Sequence, residues 1–176
     1  MKISPSIVLI GAGNLAYHLG LRLAEKKHRV RQVFSRGREK AERLALEIKC
    51  AFTTQLSQID PEADLYILAV HDSAIEEVAA KIKAVISTTA LVVHTSGATP
   101  STVLRPHFQR YGVFYPLQSF SISRPAKYEQ IPICVDAVES SDLALLTELA
   151  LDLSPHCHSI DDAQRAILHV AAVFVN

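Results

Sequence analysis

Ile7-Val8-Leu9-Ile10, followed by Gly11-Ala12-Gly13-Asn14-Leu15-Ala16, decides the fold. Four consecutive apolar and mostly β-branched residues read as a strand buried on both faces. Gly11 permits a tight turn out of the strand, and Gly13 lets a diphosphate approach the backbone. Ala16, at the last position of the G-x-G-x-x-G/A pattern, still allows helix and strand to pack closely. The helix predicted over residues 14–27 puts Leu15, Ala16, Leu19 and Leu23 on one face and Arg22, Glu25 and Lys26 outward. Its free N–H groups and positive dipole end point at the turn, where an anion would sit. Turn glycines after a strand are common. The position between a clear strand and a clear helix is what points to a dinucleotide site.

Working outward, the pattern repeats. A second strand is predicted over residues 30–34, a helix over 39–48 and a short strand over 51–53. Residues 65–70 form another continuous apolar strand, closed by His71-Asp72-Ser73, with Asp72 or Ser73 as the cap of a helix running to about Ile86. A fifth strand covers residues 90–93. This alternation implies right-handed βαβ units and a doubly wound, Rossmann-like parallel α/β sheet. The rhythm then changes. Residues 112–115 read as a short strand interrupted by Pro116, 133–135 as a strand, 140–153 as a helix and 156–160 as one more strand. A last helix begins at Asp161-Asp162.

Composition narrows the function. Hydrophobic residues make up 49% of the 176, and 18 acids balance 18 bases, so no charge excess argues for nucleic acid or an acidic partner. Cys50, Cys134 and Cys157 form no C-x-x-C pair, the pattern of reduced thiols in a cytoplasmic protein. Met1-Lys2-Ile3-Ser4-Pro5 leads straight into the first strand, which leaves no space for a signal peptide. No apolar run approaches the ~20 residues of a membrane span. His156 and His158 share one face of a predicted strand, but no third and fourth ligand follow at a metal-site spacing, so no metal is expected.

Two places carry candidate chemistry. NAD sites usually hold Asp or Glu at the end of the second strand, about 20 residues past the glycines. Ser35 stands there, beside Arg36 and Arg38. A hydroxyl and a guanidinium suit the 2′-phosphate of NADP, which an acid would repel, and the missing acid also counts against S-adenosylmethionine. The second place is the pair of loops after the fourth and fifth strands. His71 and Ser73 would flank the middle of the cofactor, and Thr95, Ser96 and Gly97 would approach the nicotinamide ribose and the reacting carbon. Hydride transfer needs a donor for the substrate oxygen or nitrogen. Ser96, His94 and Tyr115 are chemically able to serve. Ser96-Gly97 also fits plain turn chemistry, and His94 a satisfied core histidine.

GAGNLAYHL, FSR, DLYILAVHDSAI, LVVHTSGA, GVFYPLQSFS and DDAQRAILHVAAVFVN, in that order, resemble a bacterial family of NADP oxidoreductases of unknown substrate. The family pairs a Rossmann-like domain with an all-helical C-terminal domain. It is similar to pyrroline-carboxylate reductase and ketopantoate reductase, and more distantly to prephenate dehydrogenase. The resemblance implies cofactor contacts at Gly11, Gly13, Asn14, Leu15, Ser35, Arg36, Val70, His71 and Thr95, with Ala12 and Ser73 in the same loops. It implies a substrate side lined by Ser96, Tyr115, Pro116, Gln118 and His169, with Ser96, His94 and His169 as the catalytic candidates.

These residues divide the chain into a cofactor domain, 1–160, and the start of a helical domain, 161–176, which family members continue well beyond. The expected activity is hydride transfer between NADP and a small carbonyl or imine compound. The competing reading is a non-catalytic NADP-binding module, a redox sensor or a subunit completed by a partner. Between Ala166 and Val175 every residue except His169 is apolar. A helix apolar all round must be covered on all sides, which predicts a homodimer through this helix, with Phe174 among the residues buried and His169 facing the cleft.

Overall fold

The computed structural model of the chain describes residues 5–175, with side chains through Ala172. Residues 1–4, read above as the lead into the first strand, and the Phe174 side chain lie outside it. The elements are β1 (Ile7–Ile10), α1 (Asn14–Glu25), β2 (Val30–Phe34), α2 (Arg38–Ile48), β3 (Ala51–Thr53), β4 (Leu65–Leu68), α3 (Ile75–Ile82), β5 (Leu91–His94), β6 (Arg110–Pro116), β7 (Ile133–Ala137), α4 (Ser140–Leu153), β8 (Cys157–Ser159) and α5 (Asp162–Val175).

They build one eight-stranded sheet in the order β3-β2-β1-β4-β5-β6-β7-β8. Alternate residues of each central strand feed opposite layers. Ile7 and Leu9 pack with Leu19, Leu23 and Leu44 under α1 and α2, a layer that α4 extends through Leu146 and Leu153. Val8 and Ile10 pack on the other face with Ile75, Ala79 and Ile82 of α3. Every residue of β1, β4 and β5 is buried, which is why their sequences run apolar without alternation.

The sheet departs from the fully parallel expectation at one seam. β6 and β7 pair antiparallel, Gly112 to Ala137 through Pro116 to Ile133, and β8 follows β7 in parallel. No α-helix separates β6 from β7, so the chain reverses beside the strand it has just left, whereas α4 provides the crossover that a parallel β8 needs. Pro116 ends β6 rather than interrupting it. Helix α3 is shorter than predicted, stopping at Ile82, and it is entered through a 3-10 turn at Asp72–Ala74. The cap of that turn is His71, whose Nδ1 accepts from the Ser73 backbone N–H, so neither Asp72 nor Ser73 takes the role. The three cysteines are free thiols.

Candidate functional site

The strand order reverses between β1 and β4, one position earlier than the two loops named from the sequence. The crevice outside the carboxyl ends of the strands at such a reversal is where ligands bind in open α/β sheets. Gly11 opens it. Its backbone sits at φ +123°, and a Cβ there would lie 2.1 Å from the Ala69 carbonyl oxygen at the end of β4. The Gly11 N–H donates to the Phe34 carbonyl at 2.7 Å, which ties the turn to β2 as well. Gly13 is different: a Cβ would meet nothing within 4 Å. It caps α1 with no side-chain hydrogen bond, and the first turn of α1 holds no acid. Ala12 and Ala16 are buried beneath, Leu15 is half-buried, and Asn14 is exposed. The Asn14 amide donates to the Phe120 carbonyl at 3.1 Å, joining this turn to the loop that follows β6. An open backbone corner with uncapped N–H groups fits a diphosphate.

At the end of β2, the Ser35 hydroxyl accepts from the Gly37 N–H at 3.3 Å. Arg38 turns onto α2, stacking over Phe52 at 5.3 Å and pairing with Glu42 at 3.6 Å. Arg36 is exposed and has no hydrogen-bond partner among the described residues. Its field crosses to α3: Glu77 is held below its ordinary range mainly by Lys81, with Arg36 adding to the effect. Of the two arginines, Arg36 is the one available to a 2′-phosphate. Val70 is half-buried, and His71 and Ser73 stand exposed on the neighbouring turn, with the His71 Nδ1 3.0 Å from the Ser73 hydroxyl.

The segment after β5 is closed on itself. Ser96 is buried, and its hydroxyl accepts from the Ala98 and Thr99 N–H groups at 3.2 and 2.9 Å while donating to Thr99 Oγ1. Such side-chain-to-backbone bonds shape a turn. His94 is fully buried. Its Nδ1 accepts from the Ser96 N–H at 3.2 Å, and its Nε2 lies 3.3 Å from the Pro100 carbonyl, so both ring nitrogens serve the turn. Burial, reinforced by the Arg165 guanidinium, pushes this imidazole down to about 4. His94 is therefore neutral and fully buried within the turn, and Ser96 has its hydroxyl committed. The Thr95 hydroxyl reaches the Leu68 carbonyl at 3.4 Å.

A different pair lines the crevice wall. The Tyr115 hydroxyl, at the end of β6, lies 2.9 Å from Nδ1 of His169 on α5. Both rings press on Gly97, where a Cβ would stand 2.5 Å from the His169 Nδ1 and 2.7 Å from the Tyr115 Cζ. Burial pushes the Tyr115 phenol up to about 12, so it keeps its proton at neutral pH. A cavity of about 180 Å³ opens here, with Asp72, Thr95, Ser96, Tyr115, Gln118 and His169 among the residues lining it. A larger groove, about 1180 Å³, lies between residues 26–28 and α4, at the amino ends of β1 and β2. That is the wrong end of the sheet for a dinucleotide.

Sequence reading missed Asp72, which lines this cavity, and Asp162 and Arg165, which hold the Thr99–Ser101 segment behind it. A signal was present for the last two. Asp162, Arg165 and His169 fall on one stripe of a helix otherwise read as apolar. The helix is not covered on all sides in this chain. Arg165 is 1% exposed, whereas Ile167 and Val170 are 72% and 55% exposed. Among the described residues, no helix is long and apolar enough to cross a membrane.

Comparison with known proteins gives the following. Residues 6–96 match a family described as NADP oxidoreductase, coenzyme F420-dependent, and residues 131–176 match a domain of unknown function, DUF2520. A solved structure assigned as an NADP oxidoreductase from Bacteroides fragilis shares 42% identity over 98% of this chain and 66% of its own, with a TM-score of 0.94. Pyrroline-5-carboxylate reductase from Coxiella burnetii matches at 18% identity, covering 98% of this chain and 67% of its own, with a TM-score of 0.79. Prephenate dehydrogenase from A. aeolicus, solved with hydroxyphenyl propionate and NAD+, matches at 13% identity, 94% and 63% coverage and a TM-score of 0.81. The last two likenesses concern the fold alone. The chain spans about two thirds of the length of these relatives. No curated protein matches it.

Proposed function

Because the chain belongs to the family described as NADP oxidoreductase, coenzyme F420-dependent, we propose that it transfers a hydride between NADP and a small carbonyl or imine compound. The observation that carries this reading is the crevice itself. An uncapped helix end behind Gly13, an acid-free end of β2 with Arg36 exposed, and a wall bearing the Tyr115–His169 pair lie along the carboxyl ends of the parallel strands β2 to β6.

When bound, the nicotinamide supplies the hydride chemistry. The chain supplies the rest. Ala12, Gly13, Asn14 and Leu15 cradle the diphosphate through backbone N–H groups, with Gly11 making the turn that presents them, and Ser35 and Arg36 take the 2′-phosphate. Val70, His71, Ser73 and Thr95 flank the middle of the cofactor. Tyr115, protonated at neutral pH and in contact with His169, holds the proton destined for the substrate oxygen or nitrogen. His94 and Ser96 shape the turn that presents Gly97 to this pair. In this reading residues 1–160 form the cofactor domain, and α5 opens the substrate-side helical domain. The exposed face of α5 at Ile167 and Val170 then serves a homodimer in the reducing cytoplasm.

Cofactor choice gives the test. Arg36→Ala removes a charge-assisted contact worth about 1.5–3 kcal/mol, so NADPH binding should weaken by about one to two decades in a fluorescence titration. NADH binding should barely change. Equal losses for the two cofactors would contradict the assignment of Arg36 to the 2′-phosphate. Turnover of NADPH by the full-length protein with a panel of small keto and imino acids separates an enzyme from a binding module.

A further inference from the structure

The stripe on α5 does more than carry His169. Asp162, Arg165 and His169 meet the segment after β5 at three points in reverse order. The Asp162 carboxylate accepts from the Ser101 N–H, 2.9 Å to each oxygen, and from its hydroxyl at 3.1 Å. Arg165 Nη2 donates to the Thr99 carbonyl at 2.7 Å and to Asp162 at 2.7 Å. His169, one turn further, lies against Gly97. Helix and segment thus run antiparallel, pinned at residues 101, 99 and 97, and residues 95–97 are the part that faces the crevice.

Arg165 is an expensive way to pin a loop. It is 1% exposed, yet its Nε and Nη1 have no hydrogen-bond partner among the described residues. A buried charge that is only half satisfied generally stabilises a fold less than an apolar residue of similar size. Burial alone would raise the Asp162 carboxyl, but hydrogen bonds from Ser101 and Arg165 outweigh it and hold the group below its ordinary range, as an anion. The pair is therefore a charged clamp on one backbone carbonyl and one backbone N–H.

We propose that Asp162 and Arg165 are positioning residues: by clamping Thr99 and Ser101 they set where Thr95 and Gly97 stand in the crevice, and so couple the seating of α5 to the nicotinamide end of the cofactor site. The inference rests on the NADP reading above. It predicts an effect confined to one half of the cofactor, which neither residue touches.

The experiment compares two probes on the same proteins: NADPH, and 2′-phospho-ADP-ribose, which lacks the nicotinamide. Asp162→Ala and Arg165→Met should weaken NADPH about tenfold, since small misplacements of a positioned group cost heavily, while 2′-phospho-ADP-ribose stays within about twofold. Amide exchange at Ser101 should accelerate while amides of β1 keep their protection, which separates a loosened segment from a damaged fold. Asp162→Asn keeps the side-chain volume and serves if Asp162→Ala fails to fold. Unchanged NADPH affinity alongside a released Ser101 amide would overturn the proposal, as would equal losses for both probes. If the unaltered protein binds neither probe, the NADP reading itself fails and takes this inference with it. If it binds both, the variants alone decide whether Asp162 and Arg165 position the nicotinamide end.

Discussion

Two glycines mark the two ends of the crevice, and they are required for opposite reasons. Gly11 is fixed by backbone: its φ of +123° suits no other residue well, and the atom a side chain would strike is the Ala69 carbonyl oxygen, 2.1 Å away. Gly97 is fixed by side chains: the atoms in its way belong to the rings of Tyr115 and His169. The first corner is a property of the β1–α1 unit and its neighbour strand. The second exists only once β5, β6 and α5 have come together. One end of the site is built by local geometry, the other by residues brought from distant parts of the chain.

Substitution should expose that difference. Gly11→Ala combines a strained dihedral with overlap against backbone, each worth roughly 1–3 kcal/mol, and should cost about 4 kcal/mol in denaturant unfolding. No second substitution should rescue it, because the obstacle is main chain. A wild-type-like midpoint would remove the claim that Gly11 is conformationally required.

Acid should come next in size and should act on the second corner. His94 is neutral in the fold, with its imidazole lowered to about 4, whereas an unconstrained histidine titrates near 6.5. The unfolded chain therefore binds the extra proton first. The stability His94 contributes is present in full above about pH 6.5 and is lost as pH falls through about 4, a span worth about 3 kcal/mol. Urea unfolding between pH 7 and 4 should show the fall, and His94→Gln should flatten most of it. An unchanged slope in that variant would assign the acid sensitivity elsewhere.

Gly97→Ala should have the smallest effect, about 2 kcal/mol of overpacking. Unlike the Gly11 change, it should be partly recovered by His169→Ala, which opens space beside the new methyl group. A double variant no more stable than Gly97→Ala alone would show that the rings of the wall already yield.

The same contrast explains what the sequence could disclose. The strands β1, β4 and β5 are legible because each is apolar on both faces and ends in turn chemistry, so the Gly11 turn can be read locally. The reversal between β1 and β4 instead depends on strand order and falls one position earlier than the loops named from the sequence. The antiparallel seam at β6–β7 is less legible, because strand direction depends on whether a helix intervenes and not on the strand residues. His94 and Ser96 look like catalytic groups in a linear reading, yet their hydrogen bonds close a turn on neighbours two to six residues away. The Tyr115–His169 contact spans 54 residues of sequence, and nothing near either residue announces the other. Arg165 stands just before an apolar stretch and carries no local sign of burial, but α5 packs on β6 and β7 through Leu168 and Arg165 lies buried.

The most direct test of the dinucleotide site is a backbone-amide NMR titration of the protein with NADP+, recorded residue by residue. Shifts should concentrate at residues 11–15, 35–36, 70–73 and 95–97, on the four strand ends that meet at the crevice. Shifts confined to the groove beside residues 26–28 and α4, with the amides of Gly11 through Leu15 unmoved, would contradict a cofactor site at the strand reversal.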